Sequence, residues 1–235
     1  MPKRIQRVGM QDSGLFLITM AFLLGIRHGF DLDHLATIDG VTRIVSANRL
    51  LAKSAGCLFS LGHGFVVILI SLIVGSGFKL AHIPLWVDGV GNGISITFLL
   101  VFGALNLWNI FQAPSKSPLP TSFKNYLTKK LIQKKINPFF IVLIGALFAL
   151  SFDTVSQVVL FSLSARAMSG FFFSGLLGVV FMSGMMMSDG LNGLFVSTLI
   201  QKADNISLMF SRLTGLLIAS FSFIIAMISL IKMHN

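Results

Sequence analysis

The 235-residue sequence contains no glutamate, one cysteine, one tyrosine and two tryptophans. A single Cys57 supplies neither a disulfide nor a thiolate metal site, and within its apolar run it reads as a buried bystander. Charge is scarce too: charged residues make up 11% of the chain, against about 25% in a soluble domain. With 54% hydrophobic residues and a mean hydropathy of +0.87, the composition excludes an ordinary soluble fold and implies a polytopic membrane protein. No Walker loop and no dinucleotide glycine fingerprint follows a strand, so the chain has no nucleotide site and reads as neither an ATP-driven pump nor an enzyme. The net charge of +10 does not point to nucleic acid, because the cations fall between apolar segments, as orientation signals do.

What is present is a series of six apolar segments, near residues 14–36, 56–78, 86–111, 138–163, 170–200 and 207–231. Each is long enough to span a bilayer as a helix. The expected fold is therefore all-α: a single transmembrane domain over 1–235, a helix bundle of about six spans. Its halves, 1–111 and 138–235, are joined by a basic loop, 112–137, that carries three prolines and six lysines and would touch anionic lipid. The balance of Lys and Arg puts that loop in the cytoplasm and both termini outside. The N-terminus has the basic and apolar parts of a signal peptide. No A-x-A-like cleavage site follows, however, and the segment is read as retained.

The densest polar stretch is RHGFDLDHLATIDGVTR, from Arg27 to Arg43. The apolar run before it, Leu15 to Ile26, is about 12 residues, too short to span alone when roughly 20 are needed. The helix is expected to continue into the motif. An ionisable group at membrane depth is costly and usually faces a bundle interior. At roughly 100° per residue, His28, Asp31 and His34 share one flank, Asp39 returns to the azimuth of His28, and Asp33 falls away from it. Two imidazoles with a carboxylate suit divalent first-row ions such as Ni²⁺, Co²⁺ or Zn²⁺. Asp33 then stands behind the ligands, or becomes one through a local break at Gly29. The bland alternative is a solvated helix end at the interface.

Three other segments carry polar groups. His63 lies between Gly62 and Gly64, which would admit a close neighbour from the first segment. The fourth segment places Asp153, Ser156 and Gln157 on one face by i, i+3 and i+4 spacing. In the fifth, Asp189 and Asn192 sit among glycines dense enough to suggest a broken helix whose carbonyls line a pathway. Met185, Met186 and Met187 point in different directions on a helix, so packing is their better reading. His82 and His234 read as ordinary loop or terminal histidines. Charge on the first two members of each triplet of segments, and HGFD against SFDT, suggest a 3+3 inverted repeat.

These motifs together resemble the nickel/cobalt transporter family. RHGFDLDHL at 27–35 is similar to the family signature of His, four residues, Asp, His, met by His28, Asp33 and His34. LGHGFVV at 61–67, LSFDTVSQ at 150–157 and GMMMSDGLNG at 184–193 resemble its second, third and fourth motifs. The resemblance implies secondary uptake of Ni²⁺ or Co²⁺ across the cytoplasmic membrane, with the ion as substrate and no cofactor. Members usually have eight helices, so the chain is expected to lack the first and one at the end. It departs from the pattern at Gln157, where the family has a carboxylate, and at Asn192, where it has a second aspartate. Metal ligands are then expected at His28, Asp31, Asp33, His34 and His63, with Asp39, Asp153, Gln157, Asp189 and Asn192 lining the route. The readings kept beside this are a membrane protein that binds or senses metal without moving it, and an exporter of a metal or another solute. The oligomeric state stays open.

Overall fold

A computed structural model describes residues 2–76, 85–111, 137–150, 155–166, 170–202 and 205–234. Those residues form α-helices, with no strand among them. The helices are α1 (Pro2–Gly29), α2 (Leu32–Ile44), α3 (Arg49–Gly75), α4 (Leu85–Phe111), α5 (Pro138–Phe148), α6 (Val155–Arg166), α7 (Phe171–Lys202) and α8 (Asn205–His234). Helices satisfy their own backbone hydrogen bonds, which is the condition for crossing hydrocarbon. Among the described residues three are long and apolar enough to do so: Arg49–Gly75, Phe171–Gln201 and Leu213–Ile231. The pair Gly14–Gly29 and Leu32–Ile44, bent by 57°, makes a fourth if it is one span. The basic loop, His82 and Asp153 lie outside the described residues.

Helix starts follow local chemistry. Asn48 caps α3 by accepting the Leu51 N–H at 3.2 Å, and Asn137 caps α5 by accepting that of Phe140 at 3.0 Å, with Pro138 in the first turn.

Helices α3 and α7 form the most extensive pair; α1 packs on α7, α5 on α3, and α4 on α8. Ile38 of α2, Phe59 of α3 and Phe148 of α5 share one buried cluster. Ala21 of α1, Val67 of α3, Leu160 of α6 and Phe181 of α7 share a second. Large apolar side chains such as Phe172, at 87% exposure, face outward, whereas His28, His34, His63, Asp39 and Asp189 are buried. Charge inside and hydrocarbon outside is the arrangement a lipid solvent demands. The chain is a multi-pass membrane protein.

Three sequence expectations change. The first segment is not one continuous helix, because α1 stops at Gly29 and α2 starts at Leu32. The fourth is divided as well, α5 ending at Phe148 and α6 beginning at Val155, with Ser156 and Gln157 together in the first turn of α6. The fifth, by contrast, is unbroken from Phe171 to Lys202. Its glycines serve close packing instead: a Cβ on Gly193 would lie 2.9 Å from the Gly56 amide nitrogen of α3.

Candidate metal centre

The break between α1 and α2 builds the site. Phe30 N–H donates to the Arg27 carbonyl at 3.1 Å and Asp31 N–H to that of His28 at 2.9 Å, a tightened last turn. Asp31 then adopts extended backbone, φ −63° and ψ 143°, ahead of α2. On a continuous helix His28 and His34 would lie about 9 Å apart along the axis. Across the break their ring centroids are 4.5 Å apart.

His63, from the middle of α3, completes a triangle, with centroids 5.0 Å from His28 and 4.8 Å from His34. One ring nitrogen from each of the three lies within 4.8 Å of the others. The Nε2 atoms of His28 and His63 are 3.1 Å apart. Two nitrogens about 2.1 Å from one transition-metal ion and at right angles would be about 3 Å apart, so this pair already has ligand spacing. Phe181 lies against His28, and Phe59 and Phe148 lie against His34, enclosing the cluster in apolar walls.

Carboxylates stand behind two of the rings. Asp31 Oδ2 is 3.0 Å from His28 Nδ1, and Asp189 Oδ2 of α7 is 3.1 Å from His34 Nδ1. A carboxylate only accepts, so each Nδ1 carries the proton and each Nε2 keeps its lone pair for the centre. Ser60 Oγ donates to Asp189 Oδ2 at 2.6 Å and fixes that carboxylate. A side chain at position 29 would overlap Ser188 Oγ and lie 2.8 Å from Asp189 Oδ1, which explains the glycine there.

The other expected residues fall around this core. Gln157 of α6 places Nε2 2.8 Å from His63 Nε2 and 3.4 Å from His28 Nε2. Asp33 is half-buried and accepts the His34 backbone N–H at 2.9 Å. Asp39 is held by Arg43, which one turn on along α2 donates to both its oxygens at 2.8 and 3.0 Å. Asn192 lies one turn beyond Asp189 with its Nδ2 buried and unpartnered. His34 Nε2, His63 Nδ1 and Gln157 Oε1 are likewise buried without partners. Thr37, Thr42 and Ser71 also bury unpartnered hydroxyls, but native proteins pair most buried polar atoms, and the orphans on His34, His63 and Gln157 belong to side chains of the cluster itself, where a ligand could satisfy them.

A family model described as high-affinity nickel-transport protein matches residues 14–234. The chain belongs to that family. It is 34% identical over 206 residues to the high-affinity nickel-transport protein NixA of Helicobacter pylori, covering 76% of this chain and 62% of that protein. To the nickel transporter NixA of Staphylococcus aureus it is 32% identical over 198 residues, 74% of this chain and 59% of the other. To the cobalt transport protein NhlF of Rhodococcus rhodochrous it is 27% identical over 217 residues, 80% and 60%. The chain thus spans about 60% of the length of these curated relatives. No solved structure matches it.

Within this nickel-transport family member, sequence reasoning passed over two contributors. Ser60 lies three residues before His63, a spacing that puts both on one face of α3 and marks Ser60 as its neighbour. Arg27 donates through Nη1 to Ser156 Oγ at 2.6 Å, tying the end of α1 to α6; nothing local in the sequence marks that link.

Proposed function

We propose that this protein is a secondary transporter that takes up Ni²⁺ or Co²⁺ across the cytoplasmic membrane through an intramembrane histidine site. The convergence of His28, His34 and His63 on one buried point carries the reading. Three imidazoles without a thiolate favour borderline first-row divalent ions over Mg²⁺ or Ca²⁺. The charge fits as well. Asp31 and Asp189 contact the histidines and Asp33 stands beside His34, so carboxylates oppose the positive charge of the ion, while Asp39 is paired with Arg43. The printed names of the relatives, nickel and cobalt transport proteins, support the substrate class.

In this reading His28, His34 and His63 donate Nε2 to the ion. Asp31 and Asp189 hold the imidazoles of His28 and His34 in the binding tautomer, Asp33 steadies the first turn of α2, and Asp153, Gln157 and Asn192 face the route. With no nucleotide site in the chain, an ion gradient supplies the driving force, and no cofactor takes part. The chain acts as a single transmembrane domain of six spans in two inverted halves. Two features support that repeat. Each half begins with a divided segment, α1 with α2 and α5 with α6, followed by a member of the central pair, α3 or α7. The outer pair, α4 and α8, also packs together.

Nickel-63 accumulation in cells tests the function. Expression should raise it, and His28→Ala, His34→Ala or His63→Ala should return it to background. Accumulation untouched by all three substitutions would end the proposal. Binding without accumulation would establish the metal-binding, non-transporting alternative.

A further inference from the structure

The three imidazoles leave the ion short of donors, and Gln157, placed so far only along the route, is the polar side chain that touches two of them. It is 1% exposed, its Nε2 lies against the facing Nε2 atoms of His63 and His28, and its Oε1 has no partner. The amide nitrogen and oxygen occupy interchangeable positions, so a half-turn of the amide brings the oxygen to the place the nitrogen holds.

We propose that Gln157 is the fourth protein ligand of the transported ion, giving through Oε1 a neutral oxygen donor beside three neutral imidazoles. This deepens the reading of the site given above and rests on it. Without the ion, the Gln157 NH₂ group donates to the imidazole lone pairs. With the ion in place those lone pairs are committed, an N–H would point at a cation, and the amide turns to present its oxygen. No bond within the protein breaks in this exchange, and no proton leaves. Among the described residues Asp31 and Asp189 are the carboxylates in contact with the rings, and a neutral fourth donor adds no charge to them, holding the attraction for a divalent ion low enough for release. An anionic donor at the same point would add a further negative charge and hold the ion more tightly.

The full chain, purified in detergent and titrated with Co²⁺, tests this by calorimetry and by the visible ligand-field spectrum. Gln157→Leu should keep the metal-free melting temperature within a few degrees, weaken Co²⁺ binding by more than about tenfold and change the spectrum. Gln157→Glu, close to isosteric, should bind Co²⁺ more tightly than the parent and release it more slowly in a transport assay. Wild-type affinity and spectrum in a folded Gln157→Leu protein would overturn the assignment. So would unchanged or weaker binding by a folded Gln157→Glu protein, which decides the matter if the leucine variant does not fold. His28→Ala separates the two levels. If it abolishes binding while both Gln157 variants behave as wild type, only the fourth ligand is wrong; if the parent protein binds no Co²⁺, the site itself fails.

Discussion

The Asp189 carboxylate of α7 lies 3.1 Å from Nδ1 of His34 in the first turn of α2, across a sequence separation of 155 residues, and both side chains are fully buried. The contact ties the helix that crosses without a break to the element whose break creates the site. Asp189→Asn keeps an acceptor but loses the charge that favours the Nδ1–H tautomer. Nickel affinity measured by calorimetry should fall by about 10- to 100-fold. Unchanged affinity would show that the pair is structural only.

Ser60→Ala should act in the same direction but less. The hydroxyl contributes one hydrogen bond to a charged group, about 1.5–3 kcal/mol, while the carboxylate keeps its contact with His34. The expected nickel affinity lies between those of wild type and Asp189→Asn. In the double variant the two losses should not add, because Ser60 acts through the carboxylate.

Gly29→Ala introduces a methyl group where Ser188 Oγ and Asp189 already sit. Overpacking of this kind costs about 1–3 kcal/mol, so the melting temperature should drop and nickel binding should weaken with it. A variant of normal stability and affinity would mean that the approach of α7 is looser than described.

Some of this was legible in the sequence and some was not. His28, His34, Asp31 and His63 stand out because charge at membrane depth is costly and must be used. Their mutual arrangement was not legible, since the azimuth argument assumed a straight helix through Gly29. It paired His28 with Asp31 correctly, but the contact is made by a turn and an extended residue. For Asp39 it gave the azimuth of His28 along a straight helix, whereas α2 is bent by 57° from α1 and Arg43 binds that carboxylate. The glycines after Asp189 were read as a break because composition alone does not distinguish a helix interruption from a surface for close packing. Asp189 itself was singled out, but its partner His34 is a tertiary fact with no local pattern.

Asp39→Leu separates that ion pair from the site. Removing the carboxylate from Arg43, which is 12% exposed, should cost about 3 kcal/mol of stability, the lower end for a buried pair. Nickel affinity in the protein that remains folded should stay near wild type. A loss of affinity as large as that of His34→Ala would place Asp39 in the centre after all.

Ligation requires unprotonated Nε2 on three imidazoles, so metal and protons compete. Binding should be complete above the ordinary imidazole range near pH 6.5 and should fall steeply as pH drops through it, with protons released on binding. Titrations in buffers of different ionisation enthalpy measure that release. Affinity that does not change with pH, with no proton released in any buffer, would rule out an all-imidazole nitrogen set.

The most direct test of the central claim is nickel K-edge X-ray absorption on the purified protein loaded with one equivalent of Ni²⁺. Outer-shell scattering from three imidazoles is expected, falling to two in each of His28→Ala, His34→Ala and His63→Ala where the ion still binds. A spectrum of oxygen donors alone, or one that these substitutions leave unchanged, would contradict the account.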